Sequence, residues 1–165
     1  MTEAQLKAIP VGTAKGAFVD IKTPPYLKPL RAGDKPLLAT SVTIKNAGTI
    51  AEYIAFAVYE ANADGSDIKR VVAGAVELDP GATRTFTNVA ATDGVSKDYP
   101  EGSTLYLCFK VWAPRFETEP TCGATARIPV TSTPAPTAAG VKLAPVVCGG
   151  VGAAAVIGAL VAARR

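Results

Sequence analysis

The chain has 165 residues, with 17 basic and 14 acidic side chains and no histidine. Three of the basic residues lie at positions 142, 164 and 165, so residues 1–141 carry 14 charges of each sign and no basic surplus that would indicate nucleic-acid binding. The lack of histidine excludes Ser–His and Cys–His nucleophile pairs and histidine-containing zinc sites. Because no cofactor or phosphate-binding motif occurs either, we expect no catalytic residue, no metal and no cofactor.

Seven short segments predict β-strands, because apolar and polar residues alternate within them and Gly- or Pro-containing turns separate them. The segments are residues 17–22, 37–46, 52–60, 68–78, 83–89, 104–113 and 121–130. The side chains expected to face inward are Leu38, Thr40, Val42, Ile44, Ile54, Phe56, Val58, Leu105, Leu107, Phe109 and Val111.

Three residues predict local features of these strands. Gly74 is expected to interrupt the fourth strand, since glycine weakens a strand interior. Gly81 follows Asp79-Pro80 in a tight turn and tolerates a positive φ there. Pro129 cannot donate a backbone hydrogen bond, so the last strand is expected at an edge or an end of its sheet.

The predicted fold class is all-β: a seven-stranded antiparallel, immunoglobulin-like β-sandwich, followed by one C-terminal transmembrane α-helix. Two sheets are expected because a single sheet would leave its apolar face in water. The predicted organisation is a flexible arm at residues 1–16, the sandwich at 17–130, a Pro/Thr-rich linker at 131–140 and a membrane anchor at 141–165.

Two turns and the strands beside them resemble a known module. The turn Lys45-Asn46-Ala47-Gly48, the turn from Leu78 to Thr83 and the strands near 42–45, 54–59 and 105–111 are similar to the cell-adhesion-related (CARDB-like) immunoglobulin-type modules of bacterial and archaeal envelope proteins. The resemblance covers about residues 37–112. It implies a sandwich that serves as a spacer, adhesion or assembly unit, but the chain lacks the tandem copies and the secretion signal of an ordinary exported adhesin.

Residues 143–163 predict the membrane anchor. These 21 residues, which begin at Leu143, carry no charge and are bounded by Lys142 on one side and by Arg164 and Arg165 on the other. A bilayer core needs roughly 20 apolar residues in a helix. The alternative is a helix buried in a soluble core.

Small residues at a spacing of four occur within this segment, at Gly150, Ala154 and Gly158. That spacing favours close packing between membrane helices, so self-association or packing on another helix is one hypothesis. Chance occurrence in an Ala/Gly-rich segment is the other.

The orientation in the membrane follows from the two ends of the chain. The N-terminus, MTEAQLKAIP, has no apolar run typical of a secretion signal, so we expect insertion after synthesis with the large domain on the cytoplasmic side. Arg164 and Arg165 favour the opposite orientation through the positive-inside tendency.

Two cysteines flank the predicted hairpin loop between the last two strands. A loop centred near Glu117 places Cys108 opposite about Ala126 and Cys122 opposite about Trp112, so a disulfide between them requires a register shift. Two small packed thiols are the interpretation that this register favours.

Outward-facing aromatic residues are the candidate partner-contact site. Tyr53, Tyr59, Tyr106 and Trp112 lie on the outward phase of their strands, where they form either a contact patch or cross-strand pairs. The tip at residues 112–120, with Arg115 and an exposed Phe116, is the strongest single candidate.

Acidic residues offer weaker candidates. Asp64 and Asp67 have a spacing that could suit calcium, with Asp93 from another loop as the candidate third ligand, although a solvated turn is the expected role. Glu117 and Glu119 are expected to be solvated loop charges rather than a catalytic pair.

The predicted function is a non-enzymatic, membrane-anchored structural or assembly protein, a virion component that links a membrane to a protein shell. Its partners would be the lipid membrane and other structural proteins such as capsid or envelope subunits, without nucleic acid. The alternatives are a cell-envelope adhesion or surface protein and a membrane-held module that binds sugar or calcium.

Overall fold

The computed structural model describes residues 12–133 of the chain. Within that range all seven predicted strands are present, and each begins and ends within three residues of its predicted bounds. They are β1 (Gly16–Lys22), β2 (Leu37–Asn46), β3 (Glu52–Ala61), β4 (Asp67–Leu78), β5 (Thr83–Ala90), β6 (Thr104–Trp112) and β7 (Ala124–Pro129).

The strands form two antiparallel sheets. The first has three strands in the order β1-β2-β5, and the second has four in the order β4-β3-β6-β7. The predicted edge position of the last strand is confirmed, because β7 is the outermost strand of the second sheet and Pro129 is its last residue. The prediction of an all-β chain with two antiparallel sheets is therefore confirmed for the described residues.

Aromatic pairs join the two sheets across the core. Phe56 of β3 and Phe86 of β5 have ring centroids 4.7 Å apart, and Phe18 of β1 meets Phe109 of β6 edge-on at 6.5 Å. Alternating aliphatic residues fill the space between these pairs, as a two-layer sandwich requires. The fully buried residues among them include Leu38, Val42, Ile44, Ile54, Val58, Leu105 and Leu107.

Two predictions about individual strand residues are wrong. Thr40 was expected to face the core, but it is exposed and its hydroxyl donates to the carbonyl of Lys22. Gly74 was expected to interrupt β4, but β4 is continuous. Gly74 lies directly opposite Phe56 in the ladder, and a Cβ atom there would be 2.7 Å from Cε1 of that ring. The glycine therefore makes room for a core aromatic rather than ending a strand.

The chain before β1 already contacts the sandwich. The carbonyl of Thr13 accepts from the amide of Thr49 at 2.6 Å, and the carbonyl of Lys15 accepts from the amide of Ala47 at 2.7 Å. The turn after β2 approaches closely, since a Cβ on Gly48 would be 2.2 Å from the carbonyl oxygen of Thr13. Part of the segment predicted as an arm thus packs on the turn at 47–50.

The predicted membrane anchor lies outside the described residues, as do residues 1–11 and the linker from residue 134 onward. Within residues 12–133, no helix has the length and apolar character that crossing a bilayer requires.

Candidate functional site

The loop between β6 and β7, residues 113–123, folds back over the outer face of the four-stranded sheet. On that face the ladder aligns Tyr59 of β3 with Cys108 of β6, and Ala57 with Lys110. The loop covers them, because Glu119 contacts both Tyr59 and Lys110, and Cys122 bonds to Cys108. This segment, called the β6–β7 loop below, contains most of the predicted contact tip.

A disulfide bond joins Cys108 and Cys122, whose Cα atoms are 5.8 Å apart. The expected interpretation as two packed thiols is wrong. In the ladder Cys108 lies opposite Thr125 rather than Ala126, and Cys122 precedes β7 instead of pairing within it. The loop therefore does not continue the two strands as a symmetric hairpin. It places Cys122 over the outer face of the sheet, within bonding distance of Cys108.

Lys110 is the buried cation of this face. Its side chain is only 5% exposed, and its Nζ atom lies 2.5 Å from Oδ2 of Asp67 and 3.3 Å from Oε1 of Glu119. The same ammonium group sits 4.1 Å from the ring centroid of Tyr59. Burial acts to lower the pKa of Lys110, but the hydrogen bonds and charges of Asp67 and Glu119 outweigh it and raise that pKa above its usual value.

Tyr59 and Glu119 complete this cluster. The hydroxyl of Tyr59 donates to Oε1 of Glu119 at 2.6 Å. That hydrogen bond, together with Lys110, lowers the pKa of Glu119, while burial and the bond to Glu119 raise the pKa of Tyr59. Glu119 is 38% exposed, as expected of a loop charge, and it also anchors the loop to the sheet.

Two further carboxylates fasten the first half of the loop. Oε2 of Glu117 accepts from the amides of Gly16 and Ala113, both at 2.9 Å, so it joins the loop to β1. Glu117 is therefore not a free loop charge either. Nη1 of Arg115 donates to Oε2 of the buried Glu52 at 3.1 Å, while the Arg115 side chain remains 78% exposed.

The predicted contact residues lie close to this loop but differ in exposure. Tyr53 and Phe116 are exposed, at 55% and 42%, whereas Trp112 and Tyr59 are half-buried. Arg115 lies at the end of β3 that carries Tyr53, since its guanidinium binds Glu52, the residue before Tyr53. We call Tyr53, Arg115 and Phe116 the corner surface.

Sequence reasoning did not single out the most buried acid. Glu60 has no exposed surface, and its carboxylate accepts from the amide of Ser96 at 2.7 Å, from its hydroxyl at 2.8 Å and from the hydroxyl of Tyr99. All these donors come from the loop between β5 and β6. A signal existed in the sequence, because Glu60 continues the inward phase of Ile54, Phe56 and Val58.

The acidic turn at residues 62–67 has the expected hydrogen bonds of a surface turn. Oδ1 of Asp64 accepts from the amide and the hydroxyl of Ser66, which lowers the pKa of Asp64, and Gly65 adopts a φ of 86°. Asp67 is turned toward Lys110 instead. Among the described residues, no three acidic or cysteine side chains are grouped so that they could hold a metal ion.

Comparisons with known proteins identify no relative of this chain. No family model, no curated protein and no solved structure matches the chain.

Proposed function

We propose that this chain is a non-enzymatic structural protein, held at a membrane by residues 141–165, whose immunoglobulin-like module binds neighbouring protein subunits. The buried ionisable groups Glu52, Glu60 and Lys110 all form hydrogen bonds or ion pairs inside the fold. Buried polar groups whose hydrogen bonds are satisfied fix the strands and loops around them, and this use of them supports a structural role.

The strand order supports the immunoglobulin-like assignment. Constant-type immunoglobulin domains have strands A, B, E and D in one sheet and C, F and G in the other. The neighbours β1-β2-β5 and β3-β6-β7 match A-B-E and C-F-G, while β4 pairs with β3 instead of β5. The likeness to CARDB-type modules stays a resemblance of turn and strand sequence patterns.

The main support for this proposal is that the β6–β7 loop, which carries two of the three corner-surface residues, is held firmly against the strands. A disulfide, the ion pair of Arg115 and the hydrogen bonds of Glu117 and Glu119 hold this loop to three strands. Aromatic and arginine side chains on a rigid support lose little entropy on binding, which is typical of protein-contact sites. We therefore assign the corner surface to subunit contact.

Two settings agree with this role. In the first, the protein is a virion component that links a membrane to a protein shell. In the second, it is a cell-envelope adhesion or surface protein. The disulfide favours a module that matures in an oxidising compartment or on a virion or cell surface, because cytosolic thiols are generally kept reduced. This argues against the cytoplasmic-side orientation expected from the N-terminus.

Membrane attachment is tested by vesicle flotation. We expect the full chain to float with phosphatidylcholine vesicles. Two altered proteins should stay in the soluble fraction: a chain that ends at residue 140, and the full-length double variant Val151→Asp, Val156→Asp. The charged double variant keeps the chain length, so it controls for truncation. Flotation of the chain that ends at residue 140 would contradict the assignment of the anchor.

Subunit contact is tested by photo-crosslinking in the native envelope or particle. A photoreactive residue at Phe116 should yield a discrete protein adduct, whereas the same residue at Thr85, exposed on β5 of the other sheet, should yield none. Equal adducts from both positions, or none from Phe116, would contradict the assignment of the corner surface.

A further inference from the structure

Lys110 differs chemically from the other cations that form ion pairs in the described residues. Lys22 is 66% exposed and lies 3.7 Å from Asp20, and Arg115 is a largely exposed guanidinium. Lys110 alone among these places a buried primary amine in hydrogen-bond contact with two carboxylates. A primary amine next to a carboxyl carbon can form an amide.

We propose that Lys110 and Asp67 become joined by an intramolecular isopeptide bond between Nζ of Lys110 and Cγ of Asp67. The bond would connect β6 to the first residue of β4, over 43 positions of sequence. This inference does not depend on the proposed membrane anchor or on the proposed subunit contact.

The ladder of β3 aligns the two reacting groups before any reaction. Lys110 lies opposite Ala57 and Asp67 lies opposite Ala61, so β3 separates β6 from β4 and fixes both. Between Ala57 and Ala61, on the same face, lies Tyr59, whose ring supports the lysine side chain. The long side chain of Lys110 therefore runs along β3 over Tyr59 and ends 2.5 Å from Oδ2 of Asp67.

The reaction is a condensation that releases one water molecule. The resting pair is ionised, so a proton first moves from the ammonium group to Oδ2 of Asp67. The neutral amine then attacks Cγ, the carboxylate of Glu119 takes the second proton from Nζ, and it delivers that proton to the departing hydroxyl. One N–C bond forms and one C–O bond breaks, with no oxidant or cofactor, and Glu119 ends in its starting state.

Glu119 is placed for this proton transfer. Its Oε1 atom lies 3.3 Å from Nζ of Lys110 and accepts the hydroxyl hydrogen of Tyr59 at 2.6 Å. Glu119 is thus the catalytic residue of the proposal, because it touches the reacting nitrogen. Tyr59 is a positioning residue, because it acts through Glu119.

Two effects favour formation of the amide. Groups held in reacting geometry have effective concentrations on the order of 10⁵ M or more, so the attack of the amine on Cγ is strongly accelerated. The product also neutralises the ammonium group of Lys110, whose side chain is only 5% exposed, together with the carboxylate of Asp67, whose side chain is 30% exposed. The desolvation cost that this relieves is mainly that of the buried lysine charge. The remaining amide N–H can still donate to Glu119.

The intact mass of the full chain tests the proposal. After reduction and denaturation, we expect the chain to be lighter than its sequence by one water molecule. Trypsin should then yield one branched peptide made of residues 46–69 and 98–115, with no cleavage after Lys110. A chain that shows only the sequence mass, with normal cleavage after Lys110, would overturn the proposal.

Variants exclude the other source of water loss. Succinimide formation at Asp64-Gly65 or Asp93-Gly94 also removes one water, but it would persist in Lys110→Arg, whereas the isopeptide bond cannot form there. We expect the full sequence mass for Lys110→Arg, and persistence of the water loss in this variant would overturn the assignment.

The role of Glu119 is tested separately. Glu119→Gln keeps a hydrogen-bond acceptor for Tyr59 but cannot take up the proton, so its cross-linked fraction should fall at least tenfold at a fixed time after synthesis. Tyr59→Phe should slow the reaction less. A cross-linked fraction in Glu119→Gln equal to that of the wild type would overturn the role of Glu119.

Discussion

The side-chain amide of Asn46 donates a hydrogen bond to the backbone carbonyl of Leu78 at 2.9 Å, and this bond links the two sheets. Asn46 ends β2 in the three-stranded sheet, and Leu78 ends β4 in the four-stranded sheet. Its second N–H bonds to the carbonyl of Ile50 at 2.7 Å, while Oδ1 accepts from the amide of Gly48 at 2.9 Å. One fully buried side chain therefore joins the turn after β2 to the end of β4.

Replacing Asn46 by Asp should destabilise the sandwich strongly. The carboxylate has no N–H to donate, so it would face the carbonyls of Ile50 and Leu78 and leave them unpaired. Buried unpaired polar groups cost about 1–3 kcal/mol each, so we expect a loss of about 2–4 kcal/mol in the free energy of unfolding. Urea denaturation measures this loss, with Asn88→Asp as the control, because Asn88 is exposed on β5 and Asp also tolerates its φ of 52°. Equal midpoints for the two variants would contradict this role.

The bond from Tyr99 to the buried Glu60 predicts a loss of stability at alkaline pH. Burial, and then the hydrogen bond and charge of Glu60, raise the pKa of Tyr99 above its ordinary value of 10.0. Above about pH 10 the hydroxyl of Tyr99 loses its proton in the unfolded chain but keeps it in the folded chain. The contribution of this hydrogen bond to the free energy of unfolding is therefore complete below pH 10 and declines above it. We expect Tyr99→Phe to lower the free energy of unfolding by about 1–3 kcal/mol at pH 7 and by less near pH 11.

Denaturant midpoints of both proteins at pH 7 and near pH 11 check this expectation. Tyr53→Phe, which alters an exposed phenol, should have the same pH dependence as the wild type. A difference between wild type and Tyr99→Phe that stays constant with pH would show that the folded state does not hold this proton.

The strands could be predicted because each is encoded locally, by alternation along a few residues and by a turn at each end. The inward phase of Ile54, Phe56 and Val58, for example, needs no knowledge of the partner strand. The same phase extends to Glu60, but its donors, Ser96 and Tyr99, are 36 and 39 residues away, so the pattern could not show that a charge there is satisfied.

The outer face of the four-stranded sheet could not be predicted in the same way. Lys110 and Cys108 have the outward phase of β6, which normally indicates solvent exposure. They are buried because the β6–β7 loop folds over them, and alternation within one strand carries no information about such a loop. For the same reason the expected register of a symmetric hairpin kept Cys108 and Cys122 apart, and no pattern indicated that Glu117 and Glu119 bind the strands.

Because Gly74 leaves space for Phe56, we expect valine at position 74 to destabilise the fold far more than valine at the neighbouring position 75. Gly74→Val would force the ring of Phe56 to move. That movement is costly because Phe56 is only 4% exposed and its ring packs against Phe86. Overpacking of this kind costs about 1–3 kcal/mol. Ala75→Val, on the exposed face of the same strand, should change stability by less than about 0.5 kcal/mol. Thermal denaturation of both variants measures the contrast, and similar losses would contradict it.

Removing the disulfide should destabilise the sandwich and release the β6–β7 loop. The bond closes a loop between residues 14 positions apart, and a closed loop of this size stabilises a fold by about 3 kcal/mol. The double variant Cys108→Ala, Cys122→Ala should lose about that much free energy of unfolding. Wild-type protein in excess reductant should approach the variant, whereas reductant should leave the variant unchanged. If reductant shifted both proteins equally, the loss would not come from this bond, and the loop would have to be held by Arg115, Glu117 and Glu119 instead.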